Sequence, residues 1–149
     1  MPTSEEGPPP LTADDLWETH LLVAEEAAAE GKAFQTAVLR PNSLEGIAAQ
    51  PCQTFGGLEL YPGSFRKAAA LARGIICGHA FLDGNKRTGL TVAYRFLKRN
   101  GWVLELDDDA LVSLALDITG DRAKGKEPLS VPEITERLRA ASAPIESSF

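Results

Sequence analysis

Only two cysteines, two histidines, two tryptophans, two tyrosines and one methionine occur in these 149 residues. Cys52 and Cys77 have no CxxC spacing and no histidine cluster beside them. That excludes a disulfide scaffold and a zinc site, and leaves free, buried thiols in a reducing cytosol as the expectation. No apolar run is long enough to span a bilayer, and no segment shows the charged-then-apolar order of a signal peptide. A cytoplasmic protein without a membrane segment is therefore expected. The net charge of −6 removes broad attraction to nucleic acid or anionic lipid. The length suits one domain with a proper core and is too short for two.

Met1 to Pro10, with its Ser-Glu-Glu-Gly-Pro-Pro-Pro run, has nothing to bury and reads as a flexible tail. Residues 11–141 read as one domain, and 142–149 as a C-terminal tail. Thr12 followed by Asp15 is a capping-box pattern, and Leu16, His20, Val23, Ala24 and Ala27 then repeat at helical spacing up to Gly31. His20 falls on that apolar stripe and is expected in the core. Pro41-Asn42-Ser43 starts a short helix over Leu44–Ala49, stopped by Pro51.

Gln53–Phe55 and Leu58–Tyr61 flank Gly56-Gly57, a hairpin signal. Phe65, Ala68, Ala69, Ala72, Ile75 and Ile76 give the next helix an apolar face. A further helix runs to Lys98-Arg99-Asn100-Gly101 and is apolar on two sides, which predicts a central, buried element. Trp102–Leu106 reads as a short extended connector. Asp107–Asp109 open another helix, Gly120–Leu129 is a polar loop, and Ser130 with Glu133 caps the last helix. The sum is an all-α bundle of about six helices with one small β-hairpin before the central pair.

Between those two central helices lies His79-Ala-Phe-Leu-Asp-Gly-Asn-Lys-Arg87. Gly84 permits positive φ and a close approach to the backbone. Asn85, Lys86 and Arg87 open a helix whose free N–H groups and dipole already favour an anion. Two cations there oppose the macrodipole, a conflict that a bound phosphate resolves. Asp83 stands out among anion-binding groups unless Mg²⁺ bridges it to the anion. The imidazole of His79 suits a general base for a hydroxyl nucleophile. Phe81 pins the loop to the core and carries no chemistry.

The segment closely resembles the signature of the Fic/Doc family, His-x-Phe-x-Asp-Gly-Asn-x-Arg, and within it the death-on-curing (Doc) branch. The likeness extends through Leu11-Thr-x-x-Asp15, Leu44-Glu45 to Pro51, Phe55-Gly56-Gly57, Leu60-Tyr61-Pro62 and Phe96-Leu97-x-Arg99-Asn100-Gly101. It implies a Fic/Doc-type helical bundle whose hairpin is a flap, with Thr54, Phe55, Gly56 and Gly57 docking the target chain by strand addition. It implies that His79 activates a target hydroxyl and that Asp83 binds Mg²⁺. It also implies that Gly84, Asn85, Lys86 and Arg87 hold nucleotide phosphates, with Asn85, Lys86 and Arg87 contributing to catalysis.

AMP-transferring members usually carry a second arginine three residues after the first and glycine where Lys86 stands. Leu90 occupies the arginine position here. Both departures resemble Doc, and imply transfer of the terminal phosphoryl group of Mg-ATP to a serine or threonine of a translation protein such as elongation factor Tu. The same resemblance implies a toxin paired with a Phd-like antitoxin. The alternatives are AMP transfer on the same fold and a non-catalytic binding module. Ser43-Leu44-Glu45-Gly46 resembles the inhibitory motif of AMP-transferring relatives, but its hydroxyl position is Pro41, so Glu45 reads as a solvent-facing helix residue.

Overall fold

The computed structural model describes residues 9–40 and 43–146. Most of the tail expected over 1–10, the Pro41-Asn42 helix start and residues 147–149 lie outside the described residues. Among those described, six α-helices occur in order: α1 (Ala13–Ala29), α2 (Ser43–Ala49), α3 (Ser64–Gly78), α4 (Asn85–Arg99), α5 (Asp108–Thr119) and α6 (Val131–Ala140). One short antiparallel hairpin and one antiparallel pair of strands distant in sequence accompany them. β1 (Thr54–Phe55) pairs with β2 (Leu58–Glu59), and β3 (Trp102–Leu104) pairs with β4 (Ser142–Pro144).

The helix starts have local chemical causes. Thr12 and Asp15 form the expected capping box on α1, Ser130 and Glu133 form another on α6, and Asp107 accepts the Ala110 N–H at α5. The β1–β2 turn places Gly56 and Gly57 at φ 59° and 83°, the conformation that a two-residue hairpin demands. Its base is tied down where Lys67 donates to the Tyr61 carbonyl and pairs with Glu59.

The centre of the molecule is α3 rather than α4. Phe65, Ala68, Ala69, Leu71, Ala72, Ile75 and Ile76 of α3 are all buried, and α4, α5 and α6 pack around it. α4 turns Leu90, Ala93 and Leu97 inward on one side and Val92 and Phe96 on the other, as its two apolar stripes require, and leaves Tyr94 at the surface. Small side chains bring α3 and α4 close. At Gly89 a β-carbon would sit 2.7 Å from Ile76 Cγ1 and 3.1 Å from the Ala72 carbonyl oxygen. That approach sets the end of α3 beside the start of α4, where the nine-residue motif lies.

Two expectations need correction. Cys52 is exposed and Cys77 only half-buried, because Cys52 closes a surface 3₁₀ turn rather than facing the core. Cys77 donates to the Ile118 carbonyl, and burial pushes its thiol above the usual range. Ser142–Pro144 is a strand and not a tail, since its backbone completes the pairing of Trp102–Leu104. Gly120–Leu129 is the expected polar loop; it includes a 3₁₀ turn, Arg122–Lys124, and Lys126 and Arg137 both reach Asp117.

Candidate active site

His79 ends α3 with φ 47° and ψ 57°, the one non-glycine residue at positive φ among those described. A left-handed conformation is uncommon for a residue with a side chain and is held only when its surroundings fix it. Here the His79 N–H bonds back to Ile75 and the chain reverses at once into Ala80 and Phe81, both fully buried. The reversal turns the imidazole outward, where it is exposed.

Phe81 is anchored three ways. Its ring stacks on His20 at 3.8 Å and 4° between planes. Its N–H donates to Asn85 Oδ1 at 2.9 Å, and its carbonyl accepts from Asn85 Nδ2 at 2.8 Å. The neighbouring residues pair with the segment after α1, Leu39 N–H to Ala80 and Leu82 N–H to Ala37. The Asn85 side chain is therefore spent on the loop's own backbone. It shapes the turn, and in this geometry both polar atoms of its amide are taken by the Phe81 main chain.

Gly84 caps α4 at φ 76° with no side chain to fill the capping role. Asp83 Oδ1 takes the Gly84 N–H at 2.8 Å. The first N–H with a helical acceptor is that of Thr88, bonded to Gly84. For the main-chain N–H groups of Asn85, Lys86 and Arg87 no acceptor is found among the described residues. In α1, α5 and α6 a side chain closes that end of the helix. α3 and α4 have glycine there and no side-chain cap, and at α4 the open end lies in the cleft with Lys86 and Arg87 beside it, which is an anion-binding arrangement.

His79, Asp83, Gly84, Asn85, Lys86 and Arg87 all line one open cleft of about 340 Å³. The hairpin residues Thr54, Phe55, Gly56 and Gly57, expected to dock a target chain, do not line it. Phe55 and Leu58 project from the hairpin and are 79% and 75% exposed.

The opposite wall was not legible in the sequence. Ala27, Lys32 and Phe34, at and after the end of α1, line the cleft together with Ile76, Leu82 and Thr119. Phe34 lies against Gly84, where a β-carbon would sit 2.5 Å from the ring. Glu30, the C-cap of α1, pairs with Arg87 through both oxygens at 3.2 and 3.0 Å. So Arg87 has a protein partner, which partly answers the charge conflict seen in the sequence. That guanidinium holds the Glu30 carboxyl below its usual range. His20 lies beneath the loop, fully buried, with Nδ1 3.0 Å from Thr88 Oγ1 and Nε2 unpartnered. Burial drives its pKa down to about 4 despite the nearby Asp83, so it is neutral at pH 7.

No described helix is long and apolar enough to cross a membrane. Among the described residues no group of three or more His, Cys, Asp or Glu side chains could enclose a metal. Residues 10–97 match the Fic/DOC family. The chain is also 40% identical over 81 residues to the protein named Toxin Doc from Mycolicibacterium smegmatis (strain ATCC 700084 / mc(2)155). That match covers 54% of this chain and 55% of the relative, so the chain spans about half the length of the curated relative it matches. The matched family region exceeds half of the sequence and contains the left-handed histidine, the glycine turn and the open start of α4, and the chain therefore belongs to the Fic/DOC family.

Proposed function

We propose that the chain is a Doc-like toxin, a kinase that moves the terminal phosphoryl group of Mg-ATP onto a serine or threonine of a translation protein, with elongation factor Tu the candidate. The catalytic unit is residues 11–141 with β4 appended. One observation carries the reading: an exposed, conformationally held His79 shares its cleft with the unsatisfied N-terminus of α4. A polyphosphate at that helix start would meet three N–H groups, Lys86 and Arg87.

Leu90 favours the phosphoryl over the nucleotidyl reaction. It is 5% exposed and packed in the core, so no guanidinium stands where AMP-transferring relatives have their second arginine. In the step proposed, the target oxygen bonds to the γ-phosphorus, the bond from that phosphorus to the bridging oxygen breaks, and ADP leaves. The hydroxyl proton passes to the His79 imidazole. Positioning and charge stabilisation do most of the work, as in phosphoryl transfer generally.

The residues fit a Mg²⁺ ion held mainly by phosphates and water. One oxygen of Asp83 is used by Gly84, and the other has no partner among the described residues. A single carboxylate of this kind is what such an ion takes from protein. Bound Mg²⁺ would neutralise phosphate charge.

The exposed flap would dock the target chain. A Phd-like antitoxin helix would lie in the second groove, about 410 Å³, lined by Tyr94, Arg95, Lys98 and Arg99. The test is to incubate the protein with Mg-ATP and a translation extract and weigh the modified proteins. A phosphate-sized gain supports the kinase reading, an AMP-sized gain the transferase alternative, and no gain a non-catalytic module.

A further inference from the structure

Two helix ends meet across the cleft, and each carries charge of the unfavourable sign. The last turn of α1 and its C-cap carry Glu26 and Glu30, with Glu25 just before them, and no basic residue, although acids oppose the dipole there. The first turn of α4 has Lys86 and Arg87 but no acid. Glu30 and Arg87 settle both mismatches by pairing fork to fork at 3.2 and 3.0 Å, with a Glu26 oxygen 3.9 Å away.

The Glu30 carboxylate thus occupies the paired N–H edge of Arg87 that a phosphate would use for a bidentate contact. Approaching from α1, it leaves the main-chain N–H groups of Asn85, Lys86 and Arg87 without an acceptor, groups that a phosphate at the α4 start could take together with the guanidinium. The pair is also partly solvated, with side chains 39% and 52% exposed, so it is easily exchanged.

We infer that Glu30 competes with the nucleotide's phosphate for Arg87 and so sets the affinity of the site. The inference rests on the nucleotide reading of the cleft. Glu30 is not a catalytic residue: it acts on the reaction through the availability of Arg87. Breaking the pair should strengthen anion binding, whereas it should weaken binding if Glu30 merely holds Arg87 in place.

The experiment is calorimetric titration with Mg-ATP of the full chain and of Glu30→Gln, Glu30→Asp and Glu25→Gln, each also melted. Glu25 faces solvent on the same turn and makes no ion pair among the described residues, so it reports the loss of one nearby charge alone. Glu30→Gln should bind roughly three- to fivefold more tightly, the range of an exposed ion pair. The gain should shrink as salt rises. Glu30→Asp keeps the charge but shortens the reach, and should also bind more tightly. Glu25→Gln should gain less than either, and the melting temperatures should stay close to the original.

Equal or weaker binding by Glu30→Gln overturns the inference, as does a Glu25→Gln gain of the same size. If neither the original chain nor Glu30→Gln binds Mg-ATP, the nucleotide reading fails with it. Binding by the original chain without a gain in the variant removes the inference alone.

Discussion

Asn85→Ala removes both hydrogen bonds that its amide makes to the main chain of Phe81, at 2.9 and 2.8 Å. Phe81 is fully buried, and the bridge to Val38 uses the N–H and carbonyl groups of its neighbours rather than its own. Its N–H and carbonyl would lose the partners they have. A buried main-chain group left unpaired costs about 1–3 kcal/mol, so two of them at a partly open loop cost roughly 2–4 kcal/mol. For a chain of this size that lowers the melting temperature by roughly 6–12 °C.

The assay is thermal unfolding monitored by far-ultraviolet circular dichroism, with Mg-ATP titrated in parallel below the transition. Asn85→Asp is the companion variant. It still accepts the Phe81 N–H but sets a second carboxylate oxygen against the Phe81 carbonyl, and it should also lose stability. If Asn85→Ala melts within about 2 °C of the original while losing nucleotide affinity, the amide is a ligand contact and the clamp argument is wrong.

His79→Ala should abolish the phosphate-sized mass gain while leaving the far-ultraviolet spectrum intact, because the imidazole is exposed at a helix end; modification at the original rate would remove its role as base. Gly84→Ala should cost about 2–4 kcal/mol, from a left-handed φ and a β-carbon 2.5 Å from the Phe34 ring. Adding Phe34→Ala should make that substitution less costly than it is with the ring present, and an unchanged cost would refute the clash. For His20 the folded pKa of about 4 lies below its ordinary 6.5, so between those values the unfolded chain binds more protons. Its contribution, on the order of 3 kcal/mol, is present above pH 6.5 and lost as pH falls towards 4. Melting temperatures from pH 7.5 to 4.5 should fall less steeply for His20→Gln, and parallel curves would refute the assignment.

The sequence alone determined the elements whose causes are local. The Thr12–Asp15 and Ser130–Glu133 boxes need side chains three residues apart, and the Gly56-Gly57 turn needs two adjacent residues at positive φ. The loop from His79 to Arg87 was legible for the same reason, since nine consecutive residues make up the junction of α3 and α4 and its side of the cleft. Helical spacing with Leu16, Val23 and Ala27 was enough to place His20 in the core.

Tertiary structure decided whatever depends on residues far apart in the chain. Glu30 meets Arg87, Phe34 lies against Gly84, and His20 stacks on Phe81 only because α1 and the segment after it pack over the α3–α4 junction. Ser142–Pro144 becomes a strand only where Trp102–Leu104 offers an edge. Asn85 turns to Phe81 because the chain reversal at His79 brings that main chain within reach. Side-chain type and spacing specify a helix cap or a turn, whereas the partner of a charge or a ring is fixed by where the packed helices carry it.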